Sequence, residues 1–211
     1  MMPWRVSRRR RRVPTAAAPE GDSYYLQDTA TDDDDTTLTN HSPDQGGPWT
    51  ERHGSWIISS NQITPTGDVP AGARWMATVT VAVSDFKLSG TLTHNEVGKF
   101  FGFVARYTDI SNLWRCELRG DGENKLYITE VNDGTPTARA NASNVPVPAE
   151  TPLSPVLVCN GQTISLTLGE DSIQYTSASF NETVKTHGIS GYESNANPSY
   201  WYDDLLMEDP A

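Results

Sequence analysis

The chain has 211 residues and a formal charge of −11, yet its first twelve residues hold six arginines and no acid, leaving −17 on the rest. So acidic a body repels nucleic acid and anionic membrane, and no apolar stretch approaches the roughly 20 residues of a membrane-spanning helix. The length suffices for one sandwich-sized core without metal or disulfide support, and the two cysteines, Cys116 and Cys159, make neither a metal site nor a disulfide framework.

Residues 1–22 open with Arg5, Arg8, Arg9, Arg10, Arg11 and Arg12 and continue into an alanine–proline run with nothing to bury. They are expected to form an extended basic arm, with residues 23–211 as a single domain. Val13 to Pro19 is too short and proline-broken for the apolar part of a secretory leader, so classical secretion is disfavoured. A cationic run of this kind is either a solvated stretch or an electrostatic anchor onto an acidic surface or nucleic acid.

Folding signals begin near Tyr24. Asp32 to Asp35 repel one another and read as a loop, and His41 to Pro48 is dense in turn residues. Strand character resumes at Trp49-Thr50 and Ser55 to Ile58. Trp75, Ala77, Val79, Val81 and Val83 then share one face, with Thr78 and Thr80 on the other. Phe86 to Leu92 forms a further strand, after which Phe101, Phe103 and Ala105 alternate with Gly102, Val104 and Arg106. Trp114, Cys116 and Leu118 alternate with Arg115, Glu117 and Arg119, while Leu126 and Ile128 oppose Tyr127 and Thr129. Both cysteines fall in such strands and read as small buried apolar groups, with a bridge between them as the alternative.

Asn160-Gly161, between Val156–Cys159 and Thr163–Leu168, predicts a hairpin through a type I′ turn. Ile173 and Tyr175 continue the pattern, and Gly188 to Leu206 closes it. No useful helix-period segment interrupts the series, so the fold class is all-β: an antiparallel two-sheet sandwich whose last strand returns beside its first.

The order of motifs is also familiar. Gln27-Asp28-Thr29, Leu38 to Asp44, Gly46-Gly47, Trp49, Gly54-Ser55-Trp56 and Ser60-Asn61-Gln62 resemble the opening of concanavalin A-like jelly rolls of the laminin-G type, which recur in phage and other virion-associated proteins. Gly102 to Asp109 with Asn112 to Leu118 is similar to the central strand pair of that family, and Tyr202-Asp203-Asp204-Leu205 to its closing strand. That closing resemblance runs over Gly188 to Leu206, and the whole covers about residues 24–208; Ala30 departs from it, standing where an aromatic is common. It implies a jelly roll in which one sheet has a concave outer face, used for glycan binding in many relatives.

Catalytic constellations are harder to find. The glucanase branch that shares this fold places carboxylates alternately along one strand, which period-2 geometry presents on one face. No such run occurs. His41, His53, His94 and His187 lie in polar or turn-like segments, with His94 and His187 expected as exposed loop residues, and no serine or cysteine stands in a nucleophile-elbow context. Asp32 and Asp34 would neighbour Asp203 and Asp204 if the terminal strands pair, an oxygen-rich arrangement that could suit calcium; solvated surface acids are the alternative.

A ligand face follows from alternation. If Phe101, Trp114 and Leu126 point inward, then Arg106, Arg115, Glu117 and Tyr127 point outward on neighbouring strands. Guanidinium and carboxylate groups can bond vicinal sugar hydroxyls and a tyrosine ring can cover an apolar sugar face; cross-strand ion pairing among Arg106, Arg115 and Glu117 is the alternative.

These features together predict a non-enzymatic jelly-roll module on a larger assembly such as a phage or virus particle. The arm would bind capsid or other virion proteins, and display in many copies would present the sandwich to cell-surface glycans, with no membrane contact. Localisation is then the virion, and otherwise extracellular. The alternatives are a carbohydrate-active hydrolase resembling the keto-disaccharide hydrolases of this jelly-roll group, and a free-standing lectin.

Overall fold

The alternation of branched and aromatic residues with small polar ones gives strands throughout. The computed structural model describes residues 24–67, 74–95, 100–120, 122, 124–176, 180–192 and 200–210. The arm with Arg5 and Arg8 to Arg12 lies outside these residues.

The strands, numbered along the chain, are β1 (Leu26–Asp28), β2 (Thr50–His53), β3 (Ser55–Ser59), β4 (Gln62–Thr66), β5 (Arg74–Thr80), β6 (Phe86–His94), β7 (Phe100–Asp109) and β8 (Asn112–Arg119). They continue as β9 (Lys125–Asn132), β10 (Thr135–Ser143), β11 (Val156–Asn160), β12 (Thr163–Leu168), β13 (Asp171–Thr176), β14 (Thr186–Tyr192) and β15 (Tyr200–Glu208). No helix occurs among the described residues. One sheet runs β13-β12-β11-β6-β15-β4-β3 with β1 also on β15, and the other runs β10-β9-β8-β7-β14-β5-β2. Neighbouring strands in both sheets run antiparallel.

The first and last strands do run side by side, with Leu26 opposite Met207 and Asp28 opposite Leu205. Between the sheets lies one continuous core, centred on Trp56, Trp75, Phe101, Tyr200 and Tyr202. Trp56 meets Tyr202 edge-on at 5.9 Å and Tyr200 at 6.4 Å, geometries favoured by the ring quadrupoles. Tyr202 also ties the layers together. Its hydroxyl donates to the Ser190 carbonyl (2.6 Å) and accepts from the Gly102 amide (3.1 Å), so a buried polar group is satisfied by the facing sheet.

The opening motif has a structural role. The Asp28 carboxylate accepts hydrogen bonds from the Trp49 indole (2.6 Å), His41 Nε2 (2.8 Å) and the Ala30 amide (2.8 Å). These contacts pin the long loop before β2 onto the sandwich, and Ala30 is itself buried in the core.

Several expectations need correcting. The hairpin joining β11 to β12 forms, but Asn160 pairs with Thr163 and the loop is Gly161-Gln162. Of the four turn residues only Gly161 has a positive φ (51°), the pattern of a type II′ loop rather than I′. His94 and His187 are fully buried inside β6 and β14, not exposed in loops. Their rings pack against Phe101 (4.8 Å) and Phe86 (3.9 Å), because each occupies an inward position of its strand. Cys116 and Cys159, by contrast, are buried and unbridged as expected. Strands β4 and β10 had no counterpart in the sequence reading: Pro65 interrupts the first, and the second is a largely exposed edge without apolar alternation.

Candidate outer-face groove

On the seven-stranded sheet, the outward positions combine very small residues with long ones. Along β7 and β14, Gly102, Gly188 and Ser190 lie between larger neighbours. A side chain at 102 would collide with the Cys116 carbonyl, and one at 188 with the Ala77 carbonyl. The middle of the face is therefore kept low. Around it stand Arg74 from β5, Arg115 and Glu117 from β8, Tyr127 and Thr129 from β9, and Pro136 and Ala138 from β10.

Two adjoining depressions lie on this face. One, of about 280 Å³, is lined by Arg74, Phe100, Arg115, Glu117, Tyr127, Thr129, Pro136 and Ala138. The other, of about 190 Å³, shares Arg74, Arg115 and Pro136 and extends to His53, Met76, Ile110 and Leu113. Five strand spacings, roughly 24 Å in a flat sheet, separate β5 from the edge strand β10. Arg74 and Pro136 nonetheless line the same depressions, because the long Arg74 side chain reaches past β14 and β7 to Glu117 on β8. Below the face, Met76, Val104, Tyr107, Leu113 and Val131 form a second apolar cluster on the outer side of the sheet. One end is walled by two hairpins joined through the Gly134 amide, which donates to the Ser111 carbonyl (2.9 Å), leaving Ile110 51% exposed at the rim.

Three of the four residues assigned to a ligand face from sequence are brought together here: Arg115, Glu117 and Tyr127. Glu117 is only 1% exposed and is held by Arg74 Nη1 and, at 3.4 Å, by the Ser190 hydroxyl. Burial lowers the Arg74 pKa, Glu117 opposes the shift, and the like charge of Arg115 adds to it. Arg74 also lies over the rings of Phe100 (5.4 Å) and Tyr192 (5.2 Å), and Phe100 contacts Tyr127 at 5.9 Å. Sequence reasoning missed Arg74. Its outward parity opposite Trp75 was readable, but its approach to Glu117 depends on β14 entering between β5 and β7.

Arg106 is elsewhere. The β7–β8 register shifts between Ala105 and Asp109, and Arg106 takes a positive φ of 52°. This irregularity breaks the alternation and turns the side chain inward, a consequence expected of a β-bulge. Arg106 is fully buried. Its guanidinium donates to the Gly161 carbonyl (2.6 Å) and Asp85 (3.2 Å), while its own amide donates to His187 Nδ1 (3.0 Å). It is an interlayer strut, not a residue of the face. The anticipated pairing of Arg106 and Arg115 with Glu117 is replaced by the Arg74–Glu117 pair.

The four aspartates considered for calcium do not converge. Asp34 accepts from the Ser60 amide (2.6 Å), Asp32 turns toward His41 Nδ1 (3.3 Å), and Asp203 accepts from the Asp204 amide (2.8 Å). Among the described residues no three His, Cys, Asp or Glu side chains gather as metal ligands would.

Comparison with protein-family models finds no match, and comparison with curated proteins finds none either. Solved structures do match. The carbohydrate-binding module CBM66 from Bacillus subtilis is 12% identical with a TM-score of 0.59, over 76% of this chain and 95% of that one. The GH43 protein BlXynB from Bacillus licheniformis is 15% identical with a TM-score of 0.60, over 94% of this chain and 41% of its own. A xylan β-1,4-xylosidase from Bacillus halodurans C-125 is 10% identical with a TM-score of 0.62, over 93% and 41%. This chain thus spans about two-fifths of the length of those two proteins. With the two antiparallel layers described above, these likenesses make the fold a concanavalin A-like jelly-roll sandwich.

Proposed function

We propose that the chain is a non-enzymatic glycan-binding module whose ligand lies in the concave outer face of the seven-stranded sheet. The observation that carries this reading is the groove, where Arg115, Glu117 and Tyr127 meet the apolar surfaces of Phe100, Pro136 and Ala138. A saccharide needs both components: convergent polar groups for its hydroxyls and a flat apolar surface for its ring. Glu117, itself held by Ser190, fixes the Arg74 guanidinium, so this donor beside Arg115 is ordered before a ligand arrives. Solved structures sharing this fold carry the names of a carbohydrate-binding module and a xylosidase, which directs the test toward saccharides.

Hydrolysis by two carboxylates needs acids roughly 5–10 Å apart. Glu117 is the one carboxylate among the described residues lining the groove, which favours binding over the hydrolase alternative. On this reading the arginine-rich arm is a tether onto an acidic partner. A capsid or other virion protein is its finer form, resting on the charge asymmetry of the sequence alone.

A glycan array tests the reading. Binding by the full chain should disappear in Arg115→Ala while the melting temperature stays within about 2 °C, as expected of an outward substitution. An array blank for the folded wild-type chain would contradict it.

A further inference from the structure

The groove is a basic island on an acidic body, and the geometry points to a charge class for its ligand. We infer that it selects saccharides bearing a carboxylate over their neutral counterparts, a refinement that rests on the glycan-binding reading above. Arg74 and Arg115 both line the groove, and Glu117 is the one described carboxylate there to balance them. Glu117 is taken by Arg74. Arg52, on β2 of the same sheet, lines neither depression but adds a further cation, its Nε donating to the Thr78 hydroxyl (2.8 Å) and its guanidinium over the Tyr107 ring (5.3 Å), with no carboxylate partner among the described residues.

Arg115 is the decisive group. Its neighbours across the ladder are Val104 and Thr129, neither of which carries a charge. Among the described residues it has no ion pair, and its Nε is buried without a hydrogen-bond acceptor. A guanidinium left like this, partly removed from water and beside a second guanidinium, has an unmet demand for an anion. A planar carboxylate meets that demand with two parallel charge-assisted hydrogen bonds, a geometry that neutral hydroxyls reproduce less strongly. The short side chains of Thr129, Pro136 and Ala138 line the depression beside it, so a carboxylate on a sugar ring can approach Arg115 while the ring rests near Tyr127. The outlying acids also help. A body of this negative charge repels free polyanions in general, so preference arises only where the local surplus of cations outweighs it.

Calorimetric titration of the full chain with matched pairs tests this: glucuronic acid-substituted xylotriose against the same oligosaccharide with its carboxylate reduced to the alcohol, and trigalacturonate against galactotriose. In at least one pair the acid should bind about 10-fold more tightly, with the margin shrinking at high salt. Arg115→Gln, checked for an unchanged melting temperature, should erase the margin. Because the arginines of the arm are identical in both proteins, an Arg115-dependent margin reports on the groove. Equal affinity for both members of every pair would overturn the inference and leave glycan binding standing. Binding of neither class would overturn both. Sulfate competing as well as the sugar acids would also overturn it, by replacing a saccharide with a bare oxyanion.

Discussion

At the scale of single residues, parity along a strand decided most of what could be read in advance. Phe101, Trp114 and Leu126 are buried as their alternation requires, which by the same period placed Arg115, Glu117 and Tyr127 on the opposite face. Parity fails where the backbone inserts a residue. Arg106 follows the pattern in sequence but not in space, because a bulge has no composition that distinguishes it from a regular strand. His187 is hidden for another reason: its neighbours Thr186 and Gly188 are polar or small, and that context masks its inward register with Ile189. The consequence is testable. Burial depresses His187 to about 3, so it is neutral in the folded protein, whereas in the unfolded chain it gains a proton below about 6.5. Stability conferred by the neutral ring is therefore complete above pH 6.5 and declines as pH falls toward 3, by about 2 kcal/mol at pH 5. Urea unfolding at pH 7 and pH 5 should show this loss, and ring resonances of His187 in the folded protein should stay in their neutral positions down to pH 4. A ring that titrates near 6.5 would refute the burial argument.

Elements were legible in proportion to their apolar content. Strands facing the core on one side, such as β6 and β12, show clean alternation. Strand β10 does not, since its side chains are mostly exposed and no periodic pressure shaped its sequence. Hairpin chemistry lies between these cases. The Asn160-Gly161 pair marked the connection correctly, but which two residues occupy the loop is set by the register that β11 and β12 adopt against β6. With Gly161 at the first loop position and φ positive, Gly161→Ala should lower stability by about 1–2 kcal/mol. If the loop instead tolerated alanine without loss, the II′ geometry would be wrong. The exposed edge β10 also forms a wall of the groove through Pro136 and Ala138, so an element invisible to periodicity helps shape the face.

For the whole molecule, the adjacency of first and last strands could be read from motif order, but the order of strands within each sheet could not. The Arg74–Glu117 pair depends on that order: β14 and β7 separate β5 from β8, and the long Arg74 side chain reaches past them. The charge asymmetry belongs to this scale too. If the arm is a tether and the sandwich folds by its own core, deleting residues 1–12 should abolish association with an acidic partner assembly and leave the melting temperature unchanged. Co-sedimentation and thermal melting read the two effects separately, and full retention by the truncated chain would remove the tether role.

Amide chemical-shift mapping during titration with xylotriose and its glucuronic acid-substituted form reports most directly on where a saccharide sits. The concave face predicts shifts concentrated at Arg115, Glu117, Tyr127 and Thr129, with β11 to β13 of the opposite sheet unmoved. Shifts clustered on that opposite sheet, or none at either saccharide, would contradict a ligand face on the seven-stranded layer.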